Sequence, residues 1–79
     1  MQVEIYLYAS LSRYAPDRSS GKRFLMEIKE GVTIRDVLTL LKVTEDVVKI
    51  IFVNGVHADG DAIVTDGDRL AFFPPVAGG

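Results

Sequence analysis

The chain opens on an alternation of apolar and polar positions. From Gln2 to Ala9, Val3, Ile5, Leu7 and Ala9 share one side, while Glu4, Tyr6 and Tyr8 share the other. A period of two predicts a half-buried strand. The pattern stops at Ser10–Gly21, where Pro16, Asp17, Ser19, Ser20 and Gly21 are turn formers. That segment is expected as a surface loop with one helical turn around Leu11 to Tyr14. Alternation resumes over Arg23–Lys29, with Phe24, Met26 and Ile28 on one side and Arg23, Glu27 and Lys29 on the other. This predicts a second strand, joined to the first by a long connection and ended by Glu30-Gly31.

The period then changes. Ile34, Val37, Leu38 and Leu41 recur at helical spacing, with Arg35, Asp36, Thr39 and Lys42 away from that stripe. Thr33 is suited to cap the helix, and Asp36 three residues later suits its positive end. Thr44-Glu45-Asp46 is expected to start a further short turn. Ile50–Val53 is an apolar run, expected as a strand well covered by the helix. Asn54-Gly55 is a strong hairpin signal because both residues tolerate positive φ, and Val56–Ala58 is its return strand. Asp59-Gly60-Asp61 turns again, Ile63-Val64 supplies a short apolar contact, and Asp66-Gly67-Asp68 turns once more. In the last strand Leu70, Phe72 and Pro74 alternate with Ala71 and Phe73.

The order is β-β-α-β-β-β. It predicts an α+β, β-grasp (ubiquitin-like) fold, a mixed sheet of about four to five strands wrapped on one main helix. Residues 1–73 are expected to form the single domain, and residues 74–79 an extended, flexible C-terminal tail. With 79 residues of which 48% are hydrophobic, the chain has a core large enough to fold alone and too small for a deep substrate pocket. Any small-molecule chemistry is therefore expected to be shared with a partner.

Charge and cysteine usage narrow the function classes. Nine basic and eleven acidic residues give a net charge of -2, and the basic ones are scattered between Arg13 and Arg69. A nucleic-acid binder needs a positive patch, so no nucleic acid is expected as a partner. No stretch approaches the roughly 20 apolar residues that span a bilayer, and the N-terminus lacks a signal-peptide pattern. A soluble, cytoplasmic protein with no membrane partner is expected. The chain has no cysteine, which excludes disulfides, cysteine nucleophiles, a thiol-borne persulfide and thiolate zinc sites.

The chemistry is concentrated after Phe73, where the chain reads Pro74-Pro75-Val76-Ala77-Gly78-Gly79. Two prolines favour a stiff, extended segment. Side chains then shrink from valine to alanine to glycine, a taper suited to a narrow channel. A terminal carboxylate is a poor electrophile and must be activated, for example as an acyl-adenylate, before it transfers anything. Small residues at a terminus often mean nothing. Here a strand feeding the tail, the Pro-Pro spacer and the terminal di-glycine coincide.

Phe72-Phe73-Pro74-Pro75-Val76-Ala77-Gly78-Gly79, preceded by Thr65-Asp66-Gly67-Asp68, resembles the C-terminal signature of the ubiquitin-like sulfur carriers. That family includes the small subunit of molybdopterin synthase and the thiamine sulfur carrier, and the tail is most similar to the former. The likeness extends to the first strand, the Gly31-Val32-Thr33-Ile34 approach to the helix and the Val53-Asn54-Gly55 turn. It implies that an E1-like adenylyltransferase, using ATP and magnesium, adenylates the carboxylate of Gly79. A sulfur donor protein then converts it to a thiocarboxylate. The tail enters a large molybdopterin synthase subunit and gives its sulfur to a pterin precursor. The chain would bind no cofactor or metal itself and be non-catalytic alone, with Gly79 carrying the chemistry. Gly78, Ala77, Val76, Pro75, Pro74 and Phe73 would guide the tail. Thiazole, cysteine and tRNA pathways use similar tails, as do protein modifiers conjugated through the terminal glycine.

Two positions depart from the family pattern. The arginine common just after the first strand is displaced to Arg13, and His57 stands where relatives often place an apolar contact residue. Both are candidate interface residues. As the lone histidine, His57 reads more simply as solvent-facing than as a metal ligand. The two Asp-Gly-Asp sequences are turns, lacking the spaced donors of a calcium loop. Ser10, Ser12 and His57 have no orienting acid and make no catalytic set. Phe73 is expected to face outward beside the tail, with Val64 or Leu25 nearby, either as a docking surface or as cover for a core edge.

Overall fold

The computed structural model describes residues 1–16 and 23–75. Strands β1 (Gln2–Leu7), β2 (Arg23–Glu27), β3 (Ile50–Val53), β4 (Val56–His57) and β5 (Arg69–Phe73) and helix α1 (Ile34–Leu40) occur in the predicted order. The strands form one mixed sheet in the order β2-β1-β5-β3-β4. Only β1 and β5 run parallel, and every other neighbouring pair is antiparallel. A 3-10 turn over Ala9–Tyr14 follows β1, and another spans Glu45–Val47.

One face of the sheet is covered by α1. Val3, Ile5 and Leu7 of β1, Leu70 and Phe72 of β5, and Ile34, Val37 and Leu38 of α1 are all buried together. Each contributes roughly 1.5–3 kcal/mol by leaving water, which explains why the two periodicities decide the architecture. Helix α1 begins with a capping box. Thr33 accepts from the Asp36 N–H, and the Asp36 carboxylate accepts from the Thr33 N–H at 2.9 Å. Its end is closed without glycine. Lys42 takes φ 62°, and the Val43 N–H donates to the Leu38 carbonyl at 2.9 Å, a Schellman-type closure.

Two sequence expectations are corrected. Ala9 is not a core residue of β1. It is exposed with φ 51°, because the chain leaves the strand there to enter the 3-10 turn. Strand β3 is not well covered: Ile50 is exposed, and Ile51, Phe52 and Val53 are only half-buried. Its apolar run serves both faces of the sheet, so two of its side chains leave the helix side. Ile63-Val64 supplies the expected short apolar contact, with Val64 buried in the core and Ile63 bridging Thr33.

Candidate docking face and tail root

The face of the sheet opposite α1 has no helix over it. Side chains on this face follow from the register. Tyr6, Ala71, Phe52 and His57 lie in one row across β1, β5, β3 and β4. Ile50 pairs with Phe73 one step further along, and Tyr8 follows β1 beside them. Four aromatic rings and the His57 imidazole thus gather on an open sheet surface.

Phe73 is the hub. Its ring stacks on Tyr8 with centroids 4.3 Å apart and planes inclined by 6°. Phe52 meets it edge-on at 5.8 Å. Tyr6 extends the stack to Tyr8, and His57 meets Phe52 edge-on at 6.0 Å. Such pairs contribute about 0.5–1.5 kcal/mol each beyond burial, so the cluster is a preformed surface. Val64 and Leu25 do not adjoin Phe73, contrary to expectation. Val64 is in the core, and Leu25 pairs with Glu4, four residues along β1 from Tyr8.

Beyond Phe73 the surface dips into an open apolar groove. It is lined by Tyr8, Ala9, Ser10, Ile50, Phe52 and Phe73, with Pro74 and Pro75 forming the wall where the chain leaves the sheet. The strained left-handed backbone of Ala9 therefore borders the tail root, a position that costs a non-glycine residue about 1–2 kcal/mol. The lining includes neither Arg13 nor His57. Arg13 is exposed on the 3-10 turn, its guanidinium 5.3 Å from the centre of the Tyr14 ring. His57 sits on the edge strand with β5 and β3 between it and β1. The structure does not bring these two together.

The root of the tail is held firmly. Strand β5 lies between β1 and β3, and the Phe73 carbonyl accepts from the Lys49 N–H at 2.8 Å. At the other end of β5, Asp68 is buried. Its carboxylate accepts from the Asn54 side-chain amide at 2.9 Å and from the Thr65 N–H at 2.8 Å. Asn54 in turn accepts from the Arg69 N–H at 3.0 Å, which ties the β3–β4 hairpin to the start of β5. Burial pushes the Asp68 carboxyl up, but the hydrogen bonds from Thr65 and Asn54 together outweigh it and hold the group below the ordinary carboxylate range.

Polar groups frame the lower part of the open face. Glu4 accepts from the Tyr6 hydroxyl at 3.0 Å and lies 3.5 Å from Arg23 and 3.4 Å from Arg69. Glu4 is half-buried but both arginines are exposed, so the pairs add little stability; they mark where the apolar surface ends. Sequence reading found Phe73, Pro74 and Pro75 but missed Tyr8, Ile50 and Phe52 as their companions. The alternation of β1 places Tyr8 outward, whereas nothing in the sequence shows that β5 inserts beside it. Val76, Ala77, Gly78 and Gly79 lie outside the described residues. Among the described residues, no helix is long and apolar enough to cross a membrane.

Comparison with known proteins agrees with this architecture. The model of the ThiS family matches residues 7–79. Comparison with curated proteins gives no match. SAMP1 from Haloferax volcanii superimposes with a TM-score of 0.74 at 25% identity, covering 100% of both chains. A putative molybdopterin converting factor, subunit 1, from Pyrococcus furiosus gives 0.70 at 24% identity, covering 95% of this chain and 98% of that one. A chain in the complex of subunits 1 and 2 of the molybdopterin-converting factor from Helicobacter pylori gives 0.62 at 21% identity over 100% of both. The last two share the β-grasp, ubiquitin-like fold with this chain.

Proposed function

The chain belongs to the ThiS family, and we propose that it is a sulfur carrier serving as the small subunit of a molybdopterin synthase. In this reading Gly79 is adenylated by an E1-like adenylyltransferase that uses ATP and magnesium. Carboxylate attack on ATP releases pyrophosphate. Sulfide-level sulfur released by a sulfur donor protein then attacks the acyl carbon, AMP leaves, and a thiocarboxylate remains. A large synthase subunit next docks on the aromatic face, and the tail from Pro74 to Gly79 carries the sulfur into that subunit's active site. The carrier needs no cysteine for this, and it has none.

One observation carries the reading. Phe73, the last residue of the central strand, is aimed outward and stacked on Tyr8 where Pro74-Pro75 leave the sheet. A partner that docks on the open face therefore meets the tail root at the same place. Support for the pterin pathway comes from the Phe72-Phe73-Pro74-Pro75 run and from the likeness to proteins described as molybdopterin converting factor subunit 1.

The test has two stages. The chain is incubated with ATP, magnesium, an E1-like enzyme and a sulfur source, and its intact mass is measured; sulfur replaces one oxygen. The thiocarboxylate is then given to a large synthase subunit with a pterin precursor, and dithiolene formation is followed. No mass change rejects the carrier role. Loading without dithiolene formation rejects the pterin assignment and directs attention to thiazole, cysteine or tRNA acceptors.

The full-length similarity to SAMP1, described as a small archaeal modifier protein, favours a second reading: conjugation of Gly79 to lysines of other proteins. Ladders of larger species that vanish when Gly79 is deleted would establish it.

A further inference from the structure

Strand β2 is a free edge of the sheet, and its hydrogen-bonding parity is fixed by its neighbour. Met1 and Ile28 exchange both main-chain hydrogen bonds, at 2.8 and 2.9 Å. The antiparallel alternation therefore turns the N–H and C=O groups of Phe24 and Met26 toward β1, and those of Arg23, Leu25 and Glu27 outward. Among the described residues, no strand pairs with that edge. The other edge strand, β4, has only two residues.

The three outward-bonding residues are also exposed on the open face, where Leu25 is 62% exposed. Along the edge they read cation, leucine, anion. That order is self-complementary. A second copy of β2 laid antiparallel, with a two-fold axis at Leu25, sets Arg23 opposite the copy's Glu27 and Glu27 opposite its Arg23. Leu25 then meets Leu25. All three positions fall on hydrogen-bonded pairs, giving about six inter-strand bonds. Sliding by two residues keeps that parity but opposes Arg23 to Leu25 in one direction and to Lys29 in the other. Sliding by one loses both parity and facing.

We propose that β2 is a homodimerisation edge that joins the sheets of two copies in this register. Phe24 and Met26, half-buried on the helix side, meet across the same junction. Below the edge, a groove lined by Ile28, Val32 and Leu40 gives a second apolar contact, with Leu40 itself 58% exposed. Uncovered edges of this kind are templates for pairing. Strand β1 separates β2 from β5, so both aromatic faces keep their tail roots accessible. The proposal stands independently of the sulfur-carrier reading.

Sedimentation velocity over a concentration series tests it, using the full chain and the variants Arg23→Glu, Glu27→Arg and the double reversal. The wild type passes from monomer to dimer as concentration rises. By symmetry each single reversal opposes like charges twice, and raises the dissociation constant about tenfold or more. The double reversal restores both pairs and returns the constant to within about threefold. Arg23 also approaches Glu4, and Glu27 lies 3.3 Å from the N-terminal ammonium, so thermal melts are recorded alongside. Restoration in the double variant separates edge pairing from a folding defect. A monomer at every concentration, or a dimer unmoved by the reversals, or equal losses in single and double variants, would overturn the proposal.

Discussion

Replacing Asp68 by alanine tests whether one buried carboxylate holds the start of β5. The substitution removes the acceptor for the Asn54 amide at 2.9 Å and for the Thr65 N–H at 2.8 Å. An unsatisfied buried donor costs about 1–3 kcal/mol. Asn54 and Thr65 are themselves exposed, so water re-pairs part of what is lost, and the expected destabilisation is about 2–4 kcal/mol. A chain of this length has roughly 4–12 kcal/mol in all, so the effect is large. Urea unfolding followed by far-UV circular dichroism reads it as a lower midpoint at unchanged slope. The carboxyl sits below its reference value of 3.8 in the folded state. Its contribution is therefore fully present above that value and is lost as pH falls through the lower, folded one. The gap between wild type and Asp68→Asn must consequently narrow below about pH 4. A loss smaller than about 0.5 kcal/mol, or a gap that stays constant into acid, would refute the clamp.

Other predictions concern the cap, the hairpin and the docking face. Thr33→Ala removes one arm of the capping box and lowers stability by about 0.5–2 kcal/mol in the same unfolding assay. Gly55→Val places a β-branched side chain at φ 82°; a loss of about 1–2 kcal/mol is expected, and the amide exchange of β3 and β4 should quicken. Phe73→Ala removes the stack on Tyr8 and the edge contact with Phe52. It should weaken capture by a large synthase subunit at least about tenfold, measured by calorimetry. The tail of that variant should still gain sulfur when an E1-like enzyme is supplied in excess.

Periodicity carried most of the fold because burial is what the pattern encodes. The alternation in β1 and β5, the helical stripe of α1 and the positive-φ turn at Asn54-Gly55 all appear where the sequence places them. Side-chain links between distant segments were not legible. Asp68 and Asn54 each explain themselves locally as turn residues, and nothing local shows that they meet. The closure of α1 was hidden because Lys42, not glycine, takes the left-handed conformation. Strand β3 misled for another reason: an unbroken apolar run has no alternation, so it cannot reveal that Ile50 and Phe52 face away from the helix. Those two are companions of Phe73, and the misreading therefore falls on the candidate site itself, where local rules are most often broken.

The position of β5 sets a geometric limit on what the tail can do. A terminal arm delivers its end reproducibly only if its root is fixed relative to the surface that a partner recognises. Here the root leaves a strand bonded on both sides, and its last residue is part of the aromatic cluster. Four residues follow Pro75, and a fully extended chain spans at most about 3.3–3.6 Å per residue. If Gly79 carries the chemistry as proposed, it acts no further than about 14 Å from Pro75. Any enzyme that works on the carboxylate while seated on the open face must place its reacting atoms inside that radius. Inserting two alanines after Pro75 would extend the reach by about 7 Å without disturbing the face. If docking and delivery are coupled as proposed, affinity for the partner should hold while sulfur transfer falls. Equal transfer from the longer tail would mean that the face does not set the position of the arm.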